Sequence, residues 1–285
     1  LGVILSLAQA SILVLGKSMV ETGDLTLVEA FFMDDRVHDN LLLVMAEDKA
    51  EDVMNATVAA GEVASLQLVR QLSPTKAPLG VSTITMQEYI RNAKNSNKIN
   101  YMPMISVEKT EPSTDQSKEN EDEADKFLIT QSALLDNNGL QCLLDLDMTQ
   151  TFSLVKKSLQ DGVIKVEGED FFSVHLVESK TNLSYDLDLM ECKVKIKIKT
   201  IRTDARYING KVSFKLSDEE QERLKQSLDT RVKALYEYAK AQKVDAFSIV
   251  DGFKKKYPKK SSQIMADDFL DAINIKVEVT INQVD

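Results

Sequence analysis

Tryptophan is absent from this sequence, cysteine and histidine occur twice each, and aromatic residues make up only 6% of its 285 positions. So few rings argue against a broad aromatic-lined ligand surface. The cysteines, Cys142 and Cys192, are too few for a disulfide framework and form no Cys-x-x-Cys pair. They read as small apolar packing residues, with a single disulfide as the alternative. The histidines leave little material for a general base: His38 stands beside Asp35 and Asp39, and His175 lies in a strand-like run. Neither is placed in sequence to activate a serine or cysteine nucleophile.

The usual phosphate-cradling glycine loops and the His-Glu-x-x-His zinc motif are also missing. Adjacent acids such as Asp34 with Asp35, or Asp267 with Asp268, would point in different directions from a helix and read as surface charges rather than acid/base pairs. The sequence therefore offers no catalytic residue, no cofactor site and no metal site. Positive charge is short as well. A formal net charge of -10 opposes general nucleic-acid binding, which depends on neutralising phosphates. Long apolar runs are lacking too, since the opening LGVILSLAQASILVLG is interrupted by Ser6, Gln9 and Ser11 and falls short of the ~20 residues that span a bilayer.

What is present is an alternation of strand-like and helix-like segments. SILVLG reads as a buried strand closed by glycine and KSMVET as a helix stopping at Gly23. LTLVEAFFMDD presents Leu27, Ala30 and Phe31 as an expected apolar helix face. NLLLVMAE and KAEDVMNATV repeat the strand and helix pattern, ASLQLVRQL and TITMQEYIRNAKNS supply two further helices, and YMPMISVE reads as an extended tail. Such alternation favours a mixed sheet covered by helices.

From Glu108 to Lys126 the composition turns to eight acids, three bases and no large apolar residue, as expected of a solvated linker or long loop. Beyond it, Asn137, Asn138 and Gly139 mark a hairpin between two apolar runs. In KVKIKIK the period is two, which puts Val194, Ile196 and Ile198 on one face and Lys193, Lys195, Lys197 and Lys199 on the other. The plain reading is a sheet with one buried and one wet face; the sharper one is a basic strand facing headgroups or a partner. Ser217 followed by Glu220 is a capping-box signature, and Leu224, Leu228, Val232, Leu235 and Ala239 draw one apolar stripe along the helix that follows.

These segments predict an α+β protein of three small mixed-sheet domains, the last with antiparallel strands and a long helix. The expected boundaries are an N-terminal α+β domain over 1–107, an acidic linker over 108–126, a small middle domain over 127–165 and a C-terminal α+β domain over 166–285. Near the end, Asp245 can cap a helix start, Phe247, Val250 and Phe253 can face inward, and Lys254, Lys255 and Lys256 fall at the C-terminal end, where cations complement the helix dipole. Pro258 then disfavours helical geometry at Tyr257. This gives the three lysines a structural cause, with contact to a partner or to lipid headgroups as an added hypothesis.

The stretch VKALYEYAKAQKVDAFSIVDGFKKKYPKK, followed by FLDAINIKVEVTINQVD, resembles the C-terminal region of the Ger(x)C lipoproteins, the C subunits of spore-germination nutrient receptors. Gln242, Lys243, Asp245, Tyr257 and Pro258 occupy that family's pattern, although the tryptophans usual after the Tyr-Pro segment are replaced here by a run beginning Ser261-Ser262. Upstream, ASILVLGKSMVETG, FFMDDRVHDNLLLVMAEDKAEDVM and YMPMI look like the family's first-domain elements. The resemblance implies a non-enzymatic, membrane-tethered subunit on the outer face of the spore inner membrane. It also implies two integral-membrane receptor partners, no cofactor, and an N-terminal lipid anchor and first strand that precede this sequence. The alternatives are a soluble extracytoplasmic small-molecule binding protein and a hydrolase with an unrecognised site.

Overall fold

The computed structural model describes residues 9–23, 26–38, 40–58, 63–72, 81–94, 98–109, 124–136, 138–156, 162–168, 171–208, 211–260, 262, 264 and 269–284. The chain divides into two compact units, 1–73 with 83–146, and 74–82 with 147–285.

The first unit is built on a mixed sheet. β1 (Ile12–Leu15) and β4 (Asn100–Glu108) both pair in parallel with β2 (Leu42–Ala46), and the short β3 (Ile84–Thr85) pairs with it antiparallel. β5 (Lys126–Asp136) and β6 (Gly139–Leu144) extend the sheet antiparallel beyond β4. Pro103, which cannot donate to a ladder, falls just ahead of Met104, the first β4 residue paired with β2.

Helices α1 (Lys17–Thr22), α2 (Thr26–Phe32), α3 (Ala50–Met54), α4 (Ala64–Leu72) and α5 (Met86–Ala93) belong to this unit. One core cluster joins Val44, Ala46, Ile105 and Phe127 from the sheet to Val53, Ala64, Leu68 and Leu72 from α3 and α4. Glycine is required at two facing positions. Gly23 ends α1 at φ 69° and Gly139 follows the β5–β6 turn at φ 104°. A Cβ on Gly23 would meet the Asn138 carbonyl carbon at 2.6 Å, and one on Gly139 would meet the Glu21 carbonyl oxygen at 2.7 Å. Any side chain there would force the helix end and the hairpin apart.

The second unit has a four-stranded sheet in the order β12 (Asn274–Gln283), β9 (Glu191–Arg202), β8 (Phe172–Asp186), β7 (Gly162–Val166). β8 is antiparallel to both of its neighbours, whereas β12 runs parallel to β9. A small hairpin, β10 (Arg206–Ile208) with β11 (Lys211–Ser213), precedes the long helix α7 (Asp218–Ala241). Leu224, Leu228, Val232, Leu235 and Ala239 of α7 are buried, as the stripe in the sequence predicts. At the helix start Ser217 and Glu220 close the capping box. α6 (Leu146–Lys156), α8 (Ile249–Lys256), a 3-10 turn over Pro258–Lys260 and α9 (Phe269–Ala272) also belong to this unit.

Three expectations change. The stretch 127–165 does not stand as a middle domain: β5 and β6 complete the first sheet, because their apolar residues Leu134, Leu135 and Leu144 are buried with it, while α6 and β7 fall in the second unit. The acidic segment does not link two domains, since Glu108 pairs with Lys126 and Val107 with Phe127 at adjacent ends of β4 and β5. Asp125 also exchanges hydrogen bonds with Thr57, its amide donating at 2.7 Å and its carboxylate accepting at 2.8 Å. Residues 110–123 themselves lie outside the described residues. Finally, Leu27 is 47% exposed and Ala30 is exposed on α2, where Val28 is the buried residue instead.

Candidate functional site

The lysines singled out in the sequence sit at the end of a short, closely packed helix. Asp245 holds its start: the carboxylate accepts from the amides of Ile249 and Val250, both at 2.8 Å. The chain enters α8 through Ser248, whose backbone is left-handed at φ 55°, and the Ser248 hydroxyl receives a hydrogen bond from Lys156 Nζ at 2.7 Å. Burial raises the Asp245 pKa, against the two amide bonds and the Lys156 charge, which lower it. The expected capping role thus belongs to Asp245, acting from four residues before the first residue of the helix, Ile249.

Phe253 anchors the inner side of α8. Its ring lies 5.0 Å from Tyr185 and 5.2 Å from Phe269, the latter edge-on, with Tyr257 at 6.3 Å. Tyr185 lies so close to α8 that a Cβ on Gly252 would collide with its Cζ and hydroxyl. Burial, followed by the charges of Cys192, Asp245 and Asp251, pushes the Tyr185 phenol pKa up. Phe247 is buried as well, and Val250 is half-buried.

Lys255 pairs with Asp251 one turn earlier at 2.7 Å, and Lys256 donates to the Tyr185 carbonyl with its ammonium 5.2 Å from the Tyr257 ring centre. Tyr257 leaves the helix and its hydroxyl also donates to the Tyr185 carbonyl, at 3.3 Å. Lys254 is half-buried, while Lys255 and Lys256 are exposed. Lys255 and Lys256 therefore fasten the end of α8 to itself and to β8.

Two deeply buried charges of the unit were not singled out as a pair in the sequence. Arg202, at the end of β9, is 8% exposed and donates to Glu220, which is 5% exposed. The second oxygen of Glu220 accepts from the Ser217 amide at 2.9 Å, so one carboxylate both caps α7 and neutralises the arginine. The Phe172 ring has Arg202 at 5.8 Å and Arg223 at 5.2 Å. Gln283 of β12 clasps the same region, accepting from the Leu216 amide at 2.6 Å and donating to its carbonyl at 3.1 Å. The capping box was visible in the sequence; its arginine partner, 18 residues earlier, carried no local signal.

Both cysteines are buried free thiols. Burial pushes Cys142 up to about 11 and, with nearby acids, Cys192 up to about 12. His38 is exposed and His175 half-buried on β8. Among the described residues no group of three His, Cys, Asp or Glu side chains could hold a metal ion, and no helix is long and apolar enough to cross a membrane.

A family model described as spore germination B3/GerAC-like, C-terminal, matches residues 130–284, and one described as spore germination protein N-terminal domain matches residues 2–107. The chain belongs to the Ger(x)C family of germinant-receptor C subunits. The solved structure described as the crystal structure of the GerBC protein is similar in fold, with a TM-score of 0.66 at 16% identity over 97% of this chain and 79% of that one. No curated protein matches the chain. The α+β architecture, with two mixed sheets and a long C-terminal-unit helix, is that of this Ger(x)C relative.

Proposed function

We propose that this chain is the lipid-tethered, non-enzymatic C subunit of a nutrient germinant receptor, held on the outer face of the spore inner membrane, where it acts with two integral-membrane subunits to trigger germination. The observation that carries this reading is the match of two spore-germination family models, which together take in residues 2–107 and 130–284. A tether also suits the composition. An acyl chain confines a polar, acidic protein to a bilayer without a spanning helix, although one chain alone binds only marginally and a second membrane or protein contact is needed. The non-enzymatic part of the reading is supported by how the buried ionisable groups are used: Arg202 and Glu220 neutralise each other and cap α7, and Asp245 caps α8. Lys254, Lys255 and Lys256 terminate α8 on this reading, and contact with headgroups or a partner through them is a separate proposal.

The test is fractionation of spores expressing the full-length protein with an affinity tag. The protein should sediment with inner membranes, require detergent for release, and co-purify with two polytopic membrane proteins. Recovery in the soluble fraction without either companion would contradict the assignment.

A further inference from the structure

The face of the second sheet that α7 leaves uncovered is strongly basic, in a chain whose net charge is -10. On β8 the outward positions from 178 to 184 are Glu178, Lys180, Asn182 and Ser184; on β9 they are Lys193, Lys195, Lys197 and Lys199; on β12 they are Lys276, Glu278, Thr280 and Asn282. These twelve positions hold six lysines, two glutamates, four neutral polar residues and no aliphatic or aromatic side chain. All are exposed except Lys193 and Glu278, which are half-buried. At one end of the sheet Asp186 pairs with Glu191, which bounds the basic patch on that side.

Two ordinary causes for surface lysines do not account for this face. Lysines commonly guard the edges of sheets, but β9, which carries four of the six, is flanked by β8 and β12. Cross-strand attraction would set acids opposite lysines. Both glutamates do lie opposite lysines, Glu178 with Lys199 and Glu278 with Lys195 at 3.9 Å and near Lys193 at 3.4 Å, but they answer only part of the charge: Lys180 stands directly opposite Lys197 and Lys193 opposite Lys276. Like charges directly opposite one another destabilise a sheet. The arrangement therefore costs stability unless something anionic lies against it.

We propose that this open face is a docking surface for an anionic lipid bilayer. It rests on the membrane-tethered reading only for bringing a bilayer within reach. Lysines recur about every 7 Å along β9, with neighbouring strands about 4.8 Å away, so the charges form a sheet rather than a cleft. Each ammonium is a mobile point charge on a flexible stem, with none of the fixed fork by which arginine selects a particular carboxylate. A specific protein partner needs buried aromatic or apolar anchors at the centre of its interface; the twelve positions supply none, and the exposed Val163 and Val177 lie at and beyond the β8 bulge, at the margin of the patch. Nucleic acid is disfavoured by the overall charge and by the lack of stacking rings. A diffuse field of lipid phosphates matches these features, and its attraction falls off with salt. α8 packs against β8 through Tyr185, which points to the covered face, so this surface is distinct from the Lys254–Lys256 cluster.

The experiment uses the chain without any acyl anchor, sedimented with vesicles of neutral phospholipid alone or containing anionic phosphatidylglycerol, at low and high salt. One lysine near an anionic surface strengthens binding about fivefold. The chain should bind the anionic vesicles at low salt only, and Lys195→Gln/Lys197→Gln/Lys199→Gln/Lys276→Gln should weaken that binding at least about tenfold. Its thermal midpoint should be unchanged or raised, because repulsion is removed. A second variant, Lys254→Gln/Lys255→Gln/Lys256→Gln, should bind as the parent does. The proposal is overturned if binding is absent, insensitive to salt, lost in the second variant rather than the first, or seen with soluble poly-glutamate but not with vesicles. The tether is judged separately by spore fractionation, which does not depend on this face.

Discussion

Replacing Arg202 by methionine should destabilise the second unit severely, through the carboxylate left behind. Glu220 would keep its burial and its bond from the Ser217 amide but lose its counter-charge. Removing one partner of a buried pair typically costs about 3–5 kcal/mol, a large share of the roughly 5–15 kcal/mol that holds a domain folded. Part of the arginine's packing on Phe172 survives in the methionine, which makes the lost charge the main difference. Adding Glu220→Gln removes the stranded charge while keeping an amide oxygen for the cap, so the double variant should be more stable than the Arg202 single variant by at least about 2 kcal/mol. Because the chain holds two compact units, stability is best read from hydrogen exchange at α7 amides across a urea series rather than from one global transition. A cost below about 1 kcal/mol for Arg202→Met, or a double variant no better than the single, would refute the assignment of this pair as the electrostatic lock of α7.

Leu228→Asp puts a charge into the middle of the buried α7 stripe and should cost about 4 kcal/mol or more, whereas Glu222→Gln, on the exposed side beside Lys225, should stay within about 0.5 kcal/mol; equal thermal shifts would contradict the helix phase. Gly252→Ala drives a methyl into the Tyr185 ring and should cost about 1–3 kcal/mol, a loss that disappears in a Tyr185→Ala background if the ring is its cause. Asp34, which accepts two side-chain hydrogen bonds and one backbone bond from Arg36, has its pKa lowered to about 2. Its contribution to stability is present above the ordinary carboxylate pKa and is lost as pH falls towards about 2. An NMR titration of Arg36→Ala should show Asp34 returning towards its usual value, and no movement would remove Arg36 as the cause.

The elements legible in the sequence are those whose signals are local. Ser217 with Glu220 and the Leu224-to-Ala239 stripe define α7 from its own residues, and alternation defines β9 with its buried Val194, Ile196 and Ile198. What depends on distant partners was not legible. Pairing of β4 with β5 bridges the acidic segment, so a run that reads as a linker by composition proves to connect neighbours in one ladder. The parallel placement of β12 beside β9 joins residues about eighty positions apart, and nothing in KVKIKIK says which way its neighbour runs. On α2 the periodicity offered Leu27, Ala30 and Phe31, but among the described residues the helix runs over Thr26–Phe32 and Val28 takes the buried position. At the lysine cluster, the helix start at Asp245 and the stop before Pro258 were readable, while the approach of Tyr185 to Gly252, which fixes where α8 lies, came only with the structure.

The central claim is that this Ger(x)C protein serves a nutrient germinant receptor, and its most direct test is the germination of spores lacking the full-length gene. Deletion spores and parental spores would be exposed to a panel of amino acids, sugars and nucleosides, and germination followed by loss of optical density. The account predicts a slowed or abolished response to at least one nutrient, normal responses to others, and recovery when the intact gene is restored. Deletion spores that respond to every effective nutrient at the parental rate would contradict it.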